Sequence, residues 1–564
     1  MHRLALESIR LTAILAATLF VTTPTLDAQV ATGSVTSNLR LTEDAGGFVG
    51  CLEKEDRFAT SVASLGSINA DGTPDIAVGS RGDDDGGSNA GAVWILRLNT
   101  SGGVVGTTEI NDGSVGGALD ASDEFGISVA GLGDRDGDGV GDLAAGARGD
   151  DDGGSGRGAV YLIDLTSTGG VKSTTKISST SGGLGGVADG DAFGASLASL
   201  GDVDGDGVTD LAVGATGDDT GGNARGAVHI LYLNANGTVK GSTKLAHGSG
   251  GLSLADSDQF GCAVALLGDV DGDGVDDLAV GAKGDDDGGS GRGAAYILFM
   301  NADETVKGIQ KISDLAGNFT GTLDNSDQFG HALAGMEDLD NNGVPDLAVG
   351  APGDDDGGSS KGAVYALFLN ADGTVHSHRK YSDTAGGFTG AIELGDEFGY
   401  AVACLDMNSD GVSDMAVGAD LDDFCNDNYG AVWALRLNAE PNAWVDLGGA
   451  SAGAVGTPAL TVNGNLMGDS SLNIALTNAP ASSFCLAWIA TSSTPVSALG
   501  GTLHANPFNT EFLFLTDPSG ERSVSATWPT GVPANANVYL QFLIQDGSTA
   551  DGIILSNGMR GTTP

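Results

Sequence analysis

The chain has 564 residues, with 75 acidic side chains against 25 basic ones and a formal charge of −50. That balance excludes nucleic acid and anionic membrane surfaces as partners, because both repel a carboxylate-rich surface, and it favours a cationic partner or a divalent metal. Glycine supplies 94 residues yet 40% of the chain is hydrophobic, which excludes a collagen and a disordered chain; with aromatics at 5% and few helix-favouring runs, a glycine-punctuated all-β protein of more than one domain is expected.

At the N-terminus, His2, Arg3 and Arg10 precede the apolar stretch Leu11 to Val21, and Leu26-Asp27-Ala28 offers a cleavage site before Gln29. Residues 1–28 therefore read as a signal peptide and the mature protein as secreted, outside the cell or on its surface. The apolar run is shorter than the ~20 residues of a membrane span, and no second candidate follows. Cys51, Cys262, Cys404, Cys425 and Cys485 form no close-spaced metal or redox pattern; Cys51 and Cys425 lie in loop-like text where one bridge could form.

From residue 58 a repeat sets in. Phe58, Phe125, Phe193, Phe260, Phe329 and Phe398 recur at 67 to 69 residues, each followed by a small-residue apolar run, an aspartate cluster, a short LAVGA-like run, a second Gly/Asp loop and two further apolar or alternating runs. Such units read as four antiparallel strands each, and a lone four-stranded sheet cannot bury its faces, whereas six arranged radially can. Residues 32–50 match residues 372–390 with an offset of 340, so they form an outer strand without the three that should precede it. The sixth repeat lacks that outer strand after Glu440, and Gly33 to Leu41 is expected to pair with Ala431 to Leu437 and close the ring. The expected organisation is a propeller over residues 29–440, of six blades or of seven if a degenerate one follows, then a β-sandwich-like domain over residues 441–564.

The chemistry lies between the first two strands of each unit, in variants of D-x-D-x-D-G-x-x-D. The set is complete in Asp134, Asp136, Asp138 and Asp142, in Asp202, Asp204, Asp206 and Asp210, and in Asp269, Asp271, Asp273 and Asp277. One acid becomes an amide in Asp338, Asp340, Asn342 and Asp346 and in Asp406, Asn408, Asp410 and Asp414, and the first loop is reduced to Ser67, Asn69, Asp71 and Asp75. Alternating oxygen donors can converge on one hard cation, with the carbonyls of Val140, Val208, Val275, Val344 and Val412 as added ligands and the last aspartate binding through both oxygens. Calcium at five or six sites is the expectation, since no His or Cys stands in these loops for zinc. Ala145 and Val213 stand where an EF-hand needs Glu, and the repeat length excludes a nonapeptide calcium roll.

With Phe-Gly at 125–126, 193–194, 260–261, 329–330 and 398–399, these loops and runs such as AVGA at 212–215, the chain resembles the FG-GAP repeat family, the integrin-α-type β-propeller, in a secreted protein of bacterial type. It departs at Ala59, which follows Phe58, and in having six repeats where the integrin head has seven blades. The resemblance implies an all-β propeller with a ligand-binding face and leaves function open.

A second acidic ring, Asp83 to Asp85, Asp150 to Asp152, Asp218 and Asp219, Asp285 to Asp287, Asp354 to Asp356, and Asp422 and Asp423, falls in the loops after the second strands, on the face opposite the calcium loops. It reads either as a binding surface or as a solvated ring neutralised by Arg157, Arg225, Arg292 and Lys361. The aspartates two residues before each phenylalanine are expected to accept backbone N–H groups in a turn. Arg-Gly-Asp at 81–83 and 148–150 reads as accidental, because that first position is Arg, Arg, Thr, Lys, Pro and Asp across the repeats. No catalytic constellation stands out among the His, Ser and Lys residues. The reading is a non-enzymatic extracellular binding or adhesion scaffold for a protein or glycan, cationic or calcium-bridged. The alternatives are a calcium-dependent polysaccharide lyase or other propeller hydrolase, and a passive matrix component.

Overall fold

A computed structural model describes residues 33–438, apart from 44, 341 and 424–427, and the strands between residues 444 and 562. The expected signal peptide, residues 1–28, and Cys425 lie outside the described residues. Cys51 is an exposed free thiol. The chain divides into two compact units, one of Gly33–Leu339 with Val344–Asn438, the other holding Asp340–Gly343 and Ala439–Pro564.

The first unit is a β-propeller. Among the described residues it has six four-stranded antiparallel sheets, five of them with strands in chain order. The second blade shows the plan: an inner strand Phe125–Gly133, then Asp142–Ala147, Ala159–Leu165 and the outer strand Val171–Ser178. Second strands such as Asp142–Ala147 and Asp210–Ala215 are buried at every position, which is why they read as unbroken Leu, Val, Ala and Gly. Outer strands face solvent; Val35–Leu41 and Val375–Tyr381 bury their end residues and leave those between exposed or half-buried. In the sixth blade the outer strand is Val35–Leu41, antiparallel to Ala431–Leu437, with Leu41 opposite Val432 and Val35 opposite Leu437. The first strand of the propeller thus completes its last sheet, as the offset repeat predicts. Inner strands of the fifth and sixth blades are shorter, Ala332–Met336 and Ala401–Leu405, with Phe329 and Phe398 held in single bridges ahead of them.

The cores lie between neighbouring sheets. Ile95 and Ile110 of the first blade pack with Phe125, Leu143 and Tyr161 of the second, and Leu405 and Val432 of the sixth pack with Phe58 and Trp94 of the first. All six repeat phenylalanines are fully buried, each stabilising its junction by roughly 1.5–3 kcal/mol. The glycine of each second strand fixes how closely blades approach: a Cβ on Gly146 would lie 2.1 Å from the carbonyl oxygen of Gly194 in the next blade, and one on Gly281 would lie 1.9 Å from that of Gly330. All six inner strands line one axial cavity of about 120 Å³.

The second unit is also antiparallel β. Asn537–Gln545 pairs with Phe484–Ala490, Gly558–Thr562 and Ile553–Leu555, while Ala459–Asn463, Ser471–Thr477 and Arg522–Thr527 form a three-stranded sheet. Leu460 and Leu476 from the smaller sheet share one apolar cluster with Phe542 and Ile544 from the larger.

Candidate metal centres

Each aspartate hairpin is anchored by its last carboxylate. Asp142 Oδ2 accepts the N–H of Arg135 at 2.8 Å, and its Oδ1 accepts the N–H of Leu165, at the end of the third strand, at 2.9 Å. Asp75, Asp210, Asp277, Asp346 and Asp414 repeat both bonds, and all six carboxylates are fully buried. Burial pushes the carboxyl groups of Asp75, Asp142, Asp210 and Asp277 up, and that of Asp414 up to about 6. This position is therefore structural before any metal is considered, and each oxygen keeps a lone pair for a cation.

At the loop tip, Asp134 Oδ1 accepts the N–H groups of Gly137 and Asp138, and its Oδ2 accepts that of Gly139. Val140, Val208, Val275 and Val412 donate their N–H groups to the position-five aspartates Asp138, Asp206, Asp273 and Asp410. These turns bring Asp134, Asp136 and Asp142 together, likewise Asp202, Asp204 and Asp206, and Asp269, Asp271 and Asp273, with one oxygen per residue within 4.8 Å of the others. In the first loop Asn69 Nδ2 donates to Asp71 at 2.9 Å, and in the sixth Asn408 Nδ2 donates to Asp410 at 2.9 Å, so amides fill the place of a carboxylate. The fifth loop is divided between the two units, Asp340–Gly343, with Asn342, falling with the second and Asp338, Val344 and Asp346 with the first.

Three lysines of the outer strands, which the sequence reading passed over, complete these loops. Lys172 Nζ lies 2.5 Å from Asp136 and 2.8 Å from Asp138; Lys240 bridges Asp204, at 2.7 Å, and Asp206; Lys307 bridges Asp271, at 3.0 Å, and Asp273. These ammonium groups hold the carboxyls of Asp138, Asp206 and Asp273 below their usual range. Only the loops with four aspartates carry such a lysine; Thr36, Val105 and His376 stand at that strand position in the others. The signal was legible as a lysine after the first valine of the outer strand in the second, third and fourth repeats. Hard oxygen donors that already accommodate one cation fit a divalent ion of calcium's type.

The second acidic ring is neutralised differently from expectation. Arg157, Arg225, Arg292 and Lys361 pair with Asp189, Asp256, Asp314 and Asp383 instead of the ring. The ring's first aspartates are met by cations near the far end of the outer strands: Lys176 on Asp150 at 2.6 Å, Lys244 on Asp218, Lys311 on Asp285 at 2.7 Å, Lys380 on Asp354 at 2.7 Å, and Arg40 on Asp422. Tyr161, Tyr296 and Tyr365 donate to the same carboxylates from the third strands.

The aspartates before the phenylalanines cap turns, Asp123 Oδ2 accepting the N–H of Asp120 at 2.9 Å and Asp191 Oδ2 that of Ala188 at 2.7 Å. The Arg-Gly-Asp arginines point inward. Arg81 binds Asp420 at 3.2 Å, with its side chain largely buried, and Arg148 binds Glu124 at 2.5 Å. Arg148 lines the axial cavity with Thr216 and Lys283, which stand at the same repeat position, and with Cys262, His331 and Tyr400.

The FG-GAP repeat family model matches residues 58–96, 193–231, 260–298 and 329–367. Integrin alpha-PS2 of Drosophila melanogaster is 36% identical over 173 residues, covering 29% of this chain and 12% of that one. Integrin alpha-6 of Gallus gallus is 38% identical over 154 residues, 27% and 13% of the two chains. This chain thus spans about an eighth of the length of these relatives. A solved exo-beta-1,3-galactanase from Phanerochaete chrysosporium aligns at 10% identity over 94% of this chain and 99% of that one with a TM-score of 0.28, which bears on neither fold nor activity. The fold, the hairpins and these matches define a β-propeller of FG-GAP repeats. Four of its six repeats match the FG-GAP model, and the propeller is similar in sequence to stretches of integrin α chains.

Proposed function

We propose that the mature protein is an exported propeller, residues 29–440 with a separate module at 441–564, that binds calcium through its aspartate hairpins and serves as a non-enzymatic binding or adhesion scaffold outside the cell. The observation that carries the reading is the convergence of three carboxylates at one point in the hairpins of three successive FG-GAP repeats. Calcium there is structural: it joins the two limbs of the hairpin between the first and second strands of a blade. The ligands are the aspartates and valine carbonyls of loops two to six, with Asn69, Asp71 and Asp75 of the first loop as the weakest set.

The similarity to integrin α chains supports a protein or glycan as partner, and the charge of −50 supports a cationic or calcium-bridged contact. Screening the purified protein against extracellular proteins and glycans, with calcium and with EDTA, tests this. Calcium-dependent binding without turnover agrees with it, and cleavage of a polyuronate or other glycan overturns it.

A further inference from the structure

One blade breaks the rule that governs the second acidic ring. The residue opposite Tyr161 on the neighbouring outer strand is Lys176; opposite His229 it is Lys244, opposite Tyr296 Lys311, opposite Tyr365 Lys380, and opposite Trp433 Arg40. In the first blade the same register pairs Trp94 with Glu109. Five blades thus hold a cation against the buried aspartate of the adjoining loop, and the first holds a third carboxylate there.

The consequence is local and severe. Asp83, the counterpart of Asp150 and Asp285, is 6% exposed, and its oxygen comes within 4.8 Å of oxygens of Asp85 and Glu109. Asp83 Oδ1 accepts the N–H of Asp85 at 2.9 Å, as Asp150 accepts that of Asp152. Its Oδ2, the oxygen that in Asp150, Asp285 and Asp354 receives lysine, has no donor among the described residues. The amide of Asn111 reaches Asp85 at 3.2 Å and Glu109 at 3.4 Å, and no Lys, Arg or His pairs with any of the three carboxylates among the described residues. Buried Asp56, whose backbone carbonyl accepts the N–H of Gly82, lies beside this loop, and burial with the nearby Asp83 pushes its carboxyl up to about 7. Three carboxylates this close, one of them buried, are not stable together as anions without a counter-charge.

We infer that Asp83, Asp85 and Glu109 form an additional divalent-cation site, with a bound ion in the first blade taking the place of the lysine or arginine in the other five. The donors are all hard oxygens carrying three negative charges, which suits calcium or manganese and not zinc. The site stands on the loop after the second strand, at the opposite end of the sheet from the aspartate hairpins, so it does not rest on those hairpins binding metal.

Trp94, directly across from Glu109, supplies a reporter. Terbium bound at the site should emit on tryptophan excitation, and that emission should be lost in Glu109→Gln and in Glu109→Lys, the latter restoring the ion pair of the sister blades. Equilibrium dialysis should find one fewer calcium bound in both variants, and Glu109→Lys should melt above wild type in EDTA. Should Glu109→Lys not fold, Glu109→Gln carries the test. Unchanged stoichiometry and unchanged sensitised emission in the folded variants would overturn the inference, whatever the hairpins bind.

Discussion

Gly418, in the second strand of the last blade, faces the carbonyl oxygen of Ala59, in the first: a Cβ on Gly418 would lie 2.2 Å from it. The same contact joins Gly146 to Gly194 and Gly214 to Gly261 around the ring, so the junction that closes the propeller is built like those inside it. Gly418→Ala should therefore destabilise the propeller by about 1–3 kcal/mol through overpacking, read as a lowered denaturation midpoint. Ala59 itself has φ 73° where the other repeats have glycine. Ala59→Gly should act in the opposite direction, raising stability by roughly 0.5–1 kcal/mol as the left-handed strain is relieved.

Two aspartates of one hairpin should behave differently. Asp210→Asn puts an NH2 group or a weaker acceptor against one of two buried N–H groups, and should cost about 1–3 kcal/mol even in EDTA. Asp204→Asn, at the exposed tip, should leave the EDTA melting curve unchanged and weaken calcium binding at that loop, which then carries the donor set of the sixth. Paired melting and calcium-binding measurements separate the two roles; equal losses in EDTA would refute the division.

Lys240 competes for the carboxylates that calcium would use. Lys240→Met should tighten calcium binding at the third loop in low salt, and the gain should shrink as salt screens the exposed charges. Isothermal titration at two ionic strengths checks this, weaker binding in the variant being the contrary result.

His229 occupies the place of Tyr161, Tyr296 and Tyr365, buried edge-on against Phe193 with its Nε2 unbonded. Burial, with Lys244 beside it, lowers its pKa to about 4. Between the unfolded value of about 6.5 and that folded value the unfolded chain holds more protons, so this histidine's contribution to stability falls as pH drops through that window, by up to about 3 kcal/mol. His229→Tyr should flatten that acid limb in urea melts and offer its hydroxyl to Asp218. An unaltered pH slope would contradict the assignment.

Much of the fold was legible because each repeat states it again. The recurrence of phenylalanine and the offset of 340 residues lead to the sheets and to the pairing of Val35–Leu41 with Ala431–Leu437, since a missing strand at one end and a surplus strand at the other have one economical solution. The lysine column was legible, but what each lysine meets was not. Lys172 and Asp136 are 36 residues apart and meet only when the outer strand folds back past the hairpin tip. Glu109 looked ordinary among 75 acids, although its column of Lys176, Lys244, Lys311, Lys380 and Arg40 was readable once the strands were in register. The variable Arg81, Arg148, Thr216, Lys283, Pro352 and Asp420 position made sense only when the ring brought Arg81 to Asp420 and Arg148 to the axial cavity.

Calorimetric melting of the mature protein in EDTA and in rising calcium tests the central claim most directly. With dissociation constants of about 0.1–1 mM, calcium near 10 mM should add roughly 1.4–2.7 kcal/mol per filled hairpin, so the propeller transition should climb steadily with calcium concentration. A propeller that melts at the same temperature in EDTA and in saturating calcium would show that the aspartate hairpins hold their shape without metal and would contradict the account.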